Sequence, residues 1–446
     1  MNTDRDENLL PYAVTVSKPL STLSENQHTP LSRTFRLNCR PREIARVESL
    51  LQAEGFVFED DPCHPLARRL TSGPTGLGNS LAHRFGYIYI QDRSSMLPPL
   101  ALDPPEGSCV LDLCASPGSK TSMLARMVGP RGLVLANEVN PSRLTTLRAN
   151  LRLLNLPNVV TTCYQAQELP LAPASWDFIL VDAPCSGWGT REKNPRVMQV
   201  WTPDKLAPLL RIQREILDRA AELLAPGGTL VYSTCTTNPQ ENQDQIRYAT
   251  SRLGLVPAHL PRPEGFTVLR DGDPLLTDTL LVDGEESQGQ GFFVARLTKP
   301  EARDKARDPE RVALKGEPVA MDALTSTHPL RQQALAHGTC RVFRDKVFFL
   351  HEKIASHLTG ELRWQGFALG SLRKNRFHVD PLLHCLMPDH GILGGMDVAE
   401  IDILHKMISG QSLPAPDTGT HGGLYWQGLP LGWLKYKGKR CLWSDR

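Results

Sequence analysis

Between about residue 99 and residue 298, short apolar runs alternate with helical segments, and this alternation restricts the fold more than any other feature of the chain. "CVLDLCA" (109–115), "LVLANEV" (133–139), "VVTTCYQ" (159–165), "WDFILVDAP" (176–184) and "GTLVYSTC" (228–235) have the continuous hydrophobicity of strands buried on both faces. "TPDKLAPLLRIQREILDRAAELLAPGG" lies between the last two. Thr202 fits an N-cap, Pro203 the first helical position, and Pro-Gly-Gly the end. Leu206, Leu209, Leu210, Leu217, Ala221 and Leu224 mark its apolar face. Strand–helix units in series predict an α/β fold with a doubly wound, mostly parallel sheet.

The rest of the chain divides around this block. Residues 1–30 are polar and without periodicity, which predicts a loose tail. In 31–98, strand-like "TFRLNCR" precedes helical "PREIARVESLLQAEGF" and a basic, Gly-rich stretch, so an α+β extension is expected. A charged, Pro-punctuated segment, "KPEARDKARDPERVALKGEP", sets a linker at 299–325. Beyond it, 326–446 is aromatic, Gly-rich and basic, and "CRVFRDKVFFLHE" (340–352) alternates like a hairpin strand, so a small β-rich domain is expected.

Charge and cysteine usage narrow the function classes. Lys+Arg 50 against Asp+Glu 48 leaves a net charge of +2, so any nucleic-acid contact must come from local patches. Two such patches stand out. Arg363, Arg373, Lys374 and Arg376 form one, and Lys435, Lys437, Lys439 and Arg440 the other, with Trp433, Tyr436 and Trp443 interleaved. Basic and aromatic residues together suit backbone contact plus base stacking. No apolar run approaches the about 18 residues of a membrane span. "MNTDRDENLL" resembles neither a secretory nor a transit peptide, so a cytoplasmic protein is expected. The ten cysteines show no C-x-x-C pair and no zinc spacing, which predicts free thiols and no metal.

The first strand of the block runs into "DLCASPGSKTSML", where Gly118 occupies a strand-to-helix turn close under a ligand. The Walker A and dinucleotide glycine patterns are both absent. Glu138 ends the second strand, twenty residues after Gly118, where an acid can accept both hydroxyls of an adenosine ribose. A ribose-gripping acid without pyrophosphate-binding glycines fits an adenosyl cofactor lacking phosphates, S-adenosylmethionine.

Three motifs, "DLCASPGSKT", "DAPCSG" and "STCT", in this order and spacing closely resemble the RNA cytosine-C5 methyltransferases of the RsmB/NOP (Sun) family. The resemblance covers about residues 33–298 and includes "YIQDRSSMLPPLAL" (89–102) and "GFFVARL" (291–297). It implies a class I, Rossmann-like sheet closed by an antiparallel strand. The layout is similar to the bacterial RsmF-type 16S rRNA methyltransferases, which implies a C-terminal PUA-like domain and an RNA-binding N-terminal extension. It also implies the cofactor residues: Cys114, Ala115, Ser116, Pro117, Gly118, Ser119 and Lys120 in the loop, Glu138 on the ribose, Arg143, and Asp182 near the methionine end. Where the family carries an adenine-contacting aspartate, this chain has Gln165.

Cytosine C5 accepts a methyl group only after a thiolate has added to C6, and N3 must take up a proton or hydrogen bond as the adduct forms. The resemblance assigns Cys235 as the nucleophile, Cys185 as the residue assisting release and Asp182 as the acid partner of N3; among the local residues, Lys120 would add positive charge near Cys235. "NPQEN" is expected to open a helix with Asn238 as N-cap, Pro239 first and Glu241 third, placing its dipole near the Cys235 thiolate. Gly187 and Gly189 would admit a base, Lys193 and Arg196 would touch phosphates, and Trp188 would either stack or pack. The expected partner is RNA, with small-subunit rRNA or the small subunit as substrate, and the protein a monomer. A tRNA substrate, a DNA enzyme in which Cys185 attacks, and an inactive RNA-binding assembly factor remain as alternatives. A chain ending near residue 300 is expected to keep the cofactor and capture RNA poorly.

Overall fold

The first strands of the chain form a small antiparallel sheet, with the wholly buried β1 (Thr34–Leu37) inside it. The computed structural model describes residues 33–190, 197, 203–269, 277–301, 314–325, 329–357, 362–374, 376–389, 395–415 and 421–443. The tail, most of the linker, Lys193, Arg196 and the cap at Thr202 lie outside them. Strands β1 (Thr34–Leu37), β2 (Val57–Asp60), β3 (Ala67–Ser72) and β4 (Ile88–Ile90) pair in the order β2-β3-β1-β4. The helix Ile44–Ala53 buries Val47, Leu50 and Leu51, the residues at its i, i+3 and i+4 positions.

The central sheet follows from the apolar runs. Strands β5 (Cys109–Asp112), β6 (Leu133–Asn137), β7 (Val159–Thr162), β8 (Trp176–Asp182) and β9 (Leu224–Thr234) are parallel, in the order β7-β6-β5-β8-β9. Leu111, Leu133 and Leu135 enter one core, whereas Val110, Val134 and Ala136 enter another across the sheet. Alternate side chains face opposite ways along a strand, so a sheet covered on both sides needs both sets apolar. The helix Pro203–Leu223 packs Ile216, Leu217 and Ala220 on the first of these cores.

Four further strands complete one edge: β10 (Val256–Pro257), β11 (Val268–Leu269), β12 (Leu280–Val282) and β13 (Phe292–Thr298). β13 runs antiparallel against β9, β12 and β10 both pair with β13, and β11 lies outside β12. The result is a mixed α/β sheet.

The C-terminal part is β-rich, as expected. β14 (Glu317–Val319), β15 (Gly338–Phe343), β16 (Lys346–His351), β18 and β19 form one five-stranded sheet, while β17 (Trp364–Gln365) leaves it to pair antiparallel with β7. β18 is Phe367–Arg373 and β19 is Arg376–Val379. A second sheet holds β20 (Met396–Val398), β21 (Leu413–Pro414), β22 (His421–Trp426), β23 (Leu429–Lys437) and β24 (Arg440–Trp443). Leu350, Ile354 and Leu362 complete the core on one face of the central sheet. Phe35, Phe85 and Tyr87 share a core with Leu404, Trp426 and Trp443. N-terminal, central and C-terminal parts are therefore interlocked.

This packing corrects the stacking role expected for the tryptophans. Trp433 is buried and its Nε1–H donates to the Leu383 carbonyl at 3.0 Å. Trp443 is buried too, edge-on to Phe85 with ring centroids 5.3 Å apart. An indole spent on the core offers no face to a base. The basic side chains behave differently. Arg373, Lys374 and Arg376 cluster at the β18–β19 turn and Lys437, Lys439 and Arg440 at the β23–β24 turn, all exposed.

Candidate active site

All the chemistry-bearing residues sit at the carboxyl ends of the parallel strands, where open α/β sheets bind ligands. β8 ends at Asp182 and β9 at Thr234, so "APC" and "C-T" follow as adjacent loops held by the strands' own pairing, with Asp182 opposite Ser233. The Cys185 and Cys235 sulfurs lie 3.2 Å apart. Lys120 Nζ, from the helix Ser119–Met127, meets Asp182 Oδ2 at 2.7 Å. The Ser233 hydroxyl donates to Asp182 Oδ1 at 2.8 Å. All four residues assigned to catalysis from the sequence thus meet in one place.

Their electrostatics differ. The Cys185 thiol, donating its hydrogen bond, holds Cys235 below the ordinary thiol range; burial and the Asp182 charge oppose this and Lys120 assists it. The same contact, with burial, raises Cys185 well above that range. Of the two, Cys235 is therefore the one that gives up its proton more readily, with Cys185 as the donor. Burial alone would lower Lys120, but the Asp182 charge and hydrogen bond leave it raised, hence an ammonium. Its Nζ also stands 5.3 Å from the centre of the Phe292 ring.

Helix geometry departs from the expectation here. The helix starts at Gln243, not at Pro239, and Asn242 precedes it. Asn238 caps no helix: its Oδ1 accepts from Gln240 N–H and its Nδ2 donates to Glu241. Thr234 and Thr236, on either side of Cys235, both hydrogen-bond the side chain of Asn242 just before that helix. The largest cause of the lowered Cys235 pKa is the Cys185 hydrogen bond, which Lys120 assists. Gly189 also has another role. Its backbone packs so closely on Gly291 that a Cβ would lie 2.1 Å from that carbonyl oxygen, and its N–H donates to Cys235 O at 3.1 Å.

The loop from Cys114 to Lys120 is braced from three sides. Gly118 has φ +107°, and a Cβ there would come within 3.0 Å of Leu147. Asn150 donates to Pro117 O at 2.8 Å, and Ala115 N–H to Asn137 O at 2.8 Å. Arg143 donates to Ser116 O at 3.0 Å and reaches Glu138 at 3.5 Å, while Ser116 Oγ donates to Arg143 O. Cys114 is held well above the usual thiol range by burial and by Asp112, which leaves it unreactive. Gln165 lies exposed at the end of β7, its amide donating to Glu168 and its carbonyl accepting from Gln167.

Three residues went unnoticed in the sequence. Asn137 joins β5, β6 and β7, donating to Leu113 O and Tyr164 O and accepting from Thr162 and Tyr164 N–H. A lone amide inside "LVLANEV" was the available signal. Val139, beside Glu138, is 53% exposed, unusual for an apolar residue at a strand end. Asp112 is pushed up to about 7 by burial, with Thr121 and Lys120 pulling the other way.

Comparison with known proteins gives this geometry its context. The family description "16S rRNA methyltransferase RsmB/F" matches residues 99–298. The ribosomal RNA small subunit methyltransferase F of Klebsiella pneumoniae is 32% identical over 436 residues, covering 92% of this chain and 88% of that protein. The chain belongs to the RsmB/F methyltransferase family. Its counterpart in Shewanella amazonensis is 30% identical over 427 residues, with 92% and 90% covered. A methyltransferase homologue from Pyrococcus horikoshii is similar in structure, with TM-score 0.53 and 31% identity, covering 60% of this chain and 87% of that one. Like this family, the chain uses S-adenosylmethionine. The residues present fit it. Glu138 keeps a carboxylate at the end of β6, nearly sequestered from solvent, and Gly118 turns the loop from Cys114 to Lys120 with φ +107°. Among the described residues no helix is long and apolar enough to cross a membrane, and no cluster of acidic, His or Cys side chains is suited to a metal.

Glu138→Ala should weaken S-adenosylmethionine binding by on the order of 30-fold or more, since two charge-assisted bonds are worth about 2 kcal/mol or more together. Gln165→Ala, losing at most one neutral bond of about 1 kcal/mol, should cost about fivefold. Calorimetric titration ranks the two; equal losses refute the ranking.

Proposed function

We propose that this protein methylates C5 of cytosine in RNA, with small-subunit ribosomal RNA as its substrate and the cytoplasm as its place of action. The observation that carries the reading is the contact between Cys185 and Cys235, set beside the Lys120–Asp182 pair. A thiolate, a thiol and a carboxylate–ammonium pair supply the groups this reaction requires.

Bound S-adenosylmethionine supplies an electrophilic methyl group. Cys235 thiolate adds to C6, and the Asp182–Lys120 pair provides the proton that N3 takes up as C6 becomes tetrahedral. C5 of the resulting enamine takes the methyl group. The C5 proton then passes to water and the N3 proton returns to the Asp182–Lys120 pair, which re-forms the C5–C6 double bond and expels the Cys235 thiolate, whose departure the Cys185 thiol assists by donating a hydrogen bond to it. Glu138 orients the ribose, with Arg143 bracing the loop Cys114–Lys120, and Gln165 stands at the adenine edge. Val139 offers an apolar face to the adenine ring.

The division of labour proposed is a 31–98 extension, a 99–298 catalytic domain and a PUA-like 326–446 domain whose exposed basic turns hold the RNA backbone. The relatives' names as small-subunit rRNA methyltransferases support the choice of substrate. Transfer of tritiated methyl groups to RNA and DNA, followed by bisulfite sequencing, tests it. The expected outcome is label at cytosine in small-subunit rRNA. Label confined to tRNA or to DNA, or no transfer at all, would reject it in favour of the corresponding alternative.

A further inference from the structure

The contact between the two sulfurs depends on loops, and loops seldom hold two side chains in register without help. Glu241 supplies that help from a position with no solvent exposure at all. Its carboxylate accepts from Ser186 N–H at 2.8 Å, from the Ser186 hydroxyl, from Gln213 Nε2 at 3.1 Å and from Asn238 Nδ2 at 3.2 Å. Ser186 follows Cys185, and its Oγ lies 2.9 Å from Oγ1 of Thr236, which follows Cys235. Gln213 reaches Pro184 O, just before Cys185, at 2.9 Å. One buried carboxylate therefore connects the residues on both sides of Cys185 to the residue after Cys235. Every partner presents a donor, the arrangement that a carboxylate with two acceptor oxygens satisfies and an apolar side chain cannot.

We infer that Glu241 is a positioning residue for the two-cysteine reaction, its carboxylate clamping the loop of Cys185 onto the loop of Cys235 so that the sulfurs stay in contact. The inference rests on the roles proposed above for those two cysteines. Glu241 touches neither sulfur and acts through Ser186, Gln213 and Thr236. Lys120 and Asp182 are the charged groups that also face Cys235, and the charges of Glu241 itself and Asp182 both act on Cys185.

The test is alkylation of Cys235 by iodoacetamide as a function of pH in the full chain, read by peptide mass spectrometry. Wild type is compared with E241A, E241Q, C185A and the C185A/E241A double variant, and each thermal midpoint and RNA dissociation constant is measured alongside. Losing the Cys185 donor removes thiolate from Cys235 near neutrality, so E241A should slow alkylation at pH 7 by about tenfold. C185A should do the same, and the double variant should be no slower than either, because both substitutions break one contact. E241Q, which keeps one acceptor oxygen, should fall between, with RNA affinity unchanged in E241A and E241Q. An E241A protein that melts earlier but keeps the wild-type alkylation profile overturns the inference and leaves Glu241 a stabilising residue only. If E241A does not fold, a wild-type profile in E241Q overturns it equally. A C185A profile identical to wild type with a shifted E241A shows that Glu241 does not act through the sulfur contact. If both are identical to wild type, the coupling of the two cysteines itself is refuted.

Discussion

Cys235→Ala is expected to abolish methyl transfer, a loss on the order of 10^4-fold or more, because removing the nucleophile leaves C5 unactivated. Cys185→Ala should fail in another way. Addition and methyl transfer proceed, but the departing Cys235 sulfur no longer receives the hydrogen bond from a thiol 3.2 Å away. Release slows, and a protein–RNA species that survives denaturing electrophoresis should accumulate with ordinary cytosine. Cys235→Ala should form no such species even with 5-fluorocytosine RNA, whose fluorine blocks the final elimination in wild type. A trapped species found only in Cys235→Ala would reverse the two roles. The pH dependence carries the same distinction. Cys235 is held below its ordinary pKa in the wild type, so its thiolate persists as pH falls through the usual thiol range. In Cys185→Ala the depressing contact is gone, and addition should fail at a higher pH than in wild type.

Much of this site was legible because its residues are tied to strand ends. β5, β6, β8 and β9 have continuous apolar sequences, and a motif that follows such a run lands at the sheet's carboxyl edge whatever the intervening loops do. Gly118, Glu138, Asp182 and Cys235 were placed on that ground. What escaped was cooperation between loops. Glu241 was read as the third residue of a helix, since "NPQEN" has the local chemistry of a helix start. Its side chain finds four donors on three residues, Ser186 and Gln213 brought in by tertiary structure and Asn238 nearby in the chain, and the helix begins later. Local propensity lost to buried hydrogen bonding. Trp433 and Trp443 were misread for a related reason: basic neighbours on the sequence made them look exposed, although β23 is buried on both faces as far as Leu434 and only its end, from Lys435 on, reaches solvent. Lys435 and Lys437 point outward while Trp433 and Trp443 fill cores.

The C-terminal part was read as a separable module, and its packing predicts otherwise. Leu350, Ile354 and Leu362 are buried in the same core as Leu111, Leu133 and Trp176. Lys353 donates to Gly107 O, just before β5. β17 covers the β7 edge, and Arg363 N–H donates to the hydroxyl of Tyr164 at 2.8 Å. Tyr164 in turn is hydrogen-bonded through its backbone to Asn137, next to Glu138. A chain ending near residue 300 would bare that face and edge, together with the aromatic surface of Phe85 and Tyr87. Three buried aliphatic side chains are worth about 1.5–3 kcal/mol each, a large share of the roughly 5–15 kcal/mol by which a domain is stable. An uncovered strand edge adds a route to aggregation. We therefore expect the truncated protein to lose cooperative thermal unfolding, to bind the dye ANS and to lose S-adenosylmethionine affinity along with RNA capture. A truncated chain that melts within a few degrees of the full-length protein, with an unchanged cofactor dissociation constant, would restore the separable module. In that event the shared cores would be contacts between two bodies that each fold alone. The interlock instead gives β17 and its neighbour Arg363 a line of hydrogen bonds, through Tyr164 and Asn137, to the strand end that carries Glu138, and cofactor affinity is expected to fall when that line is cut.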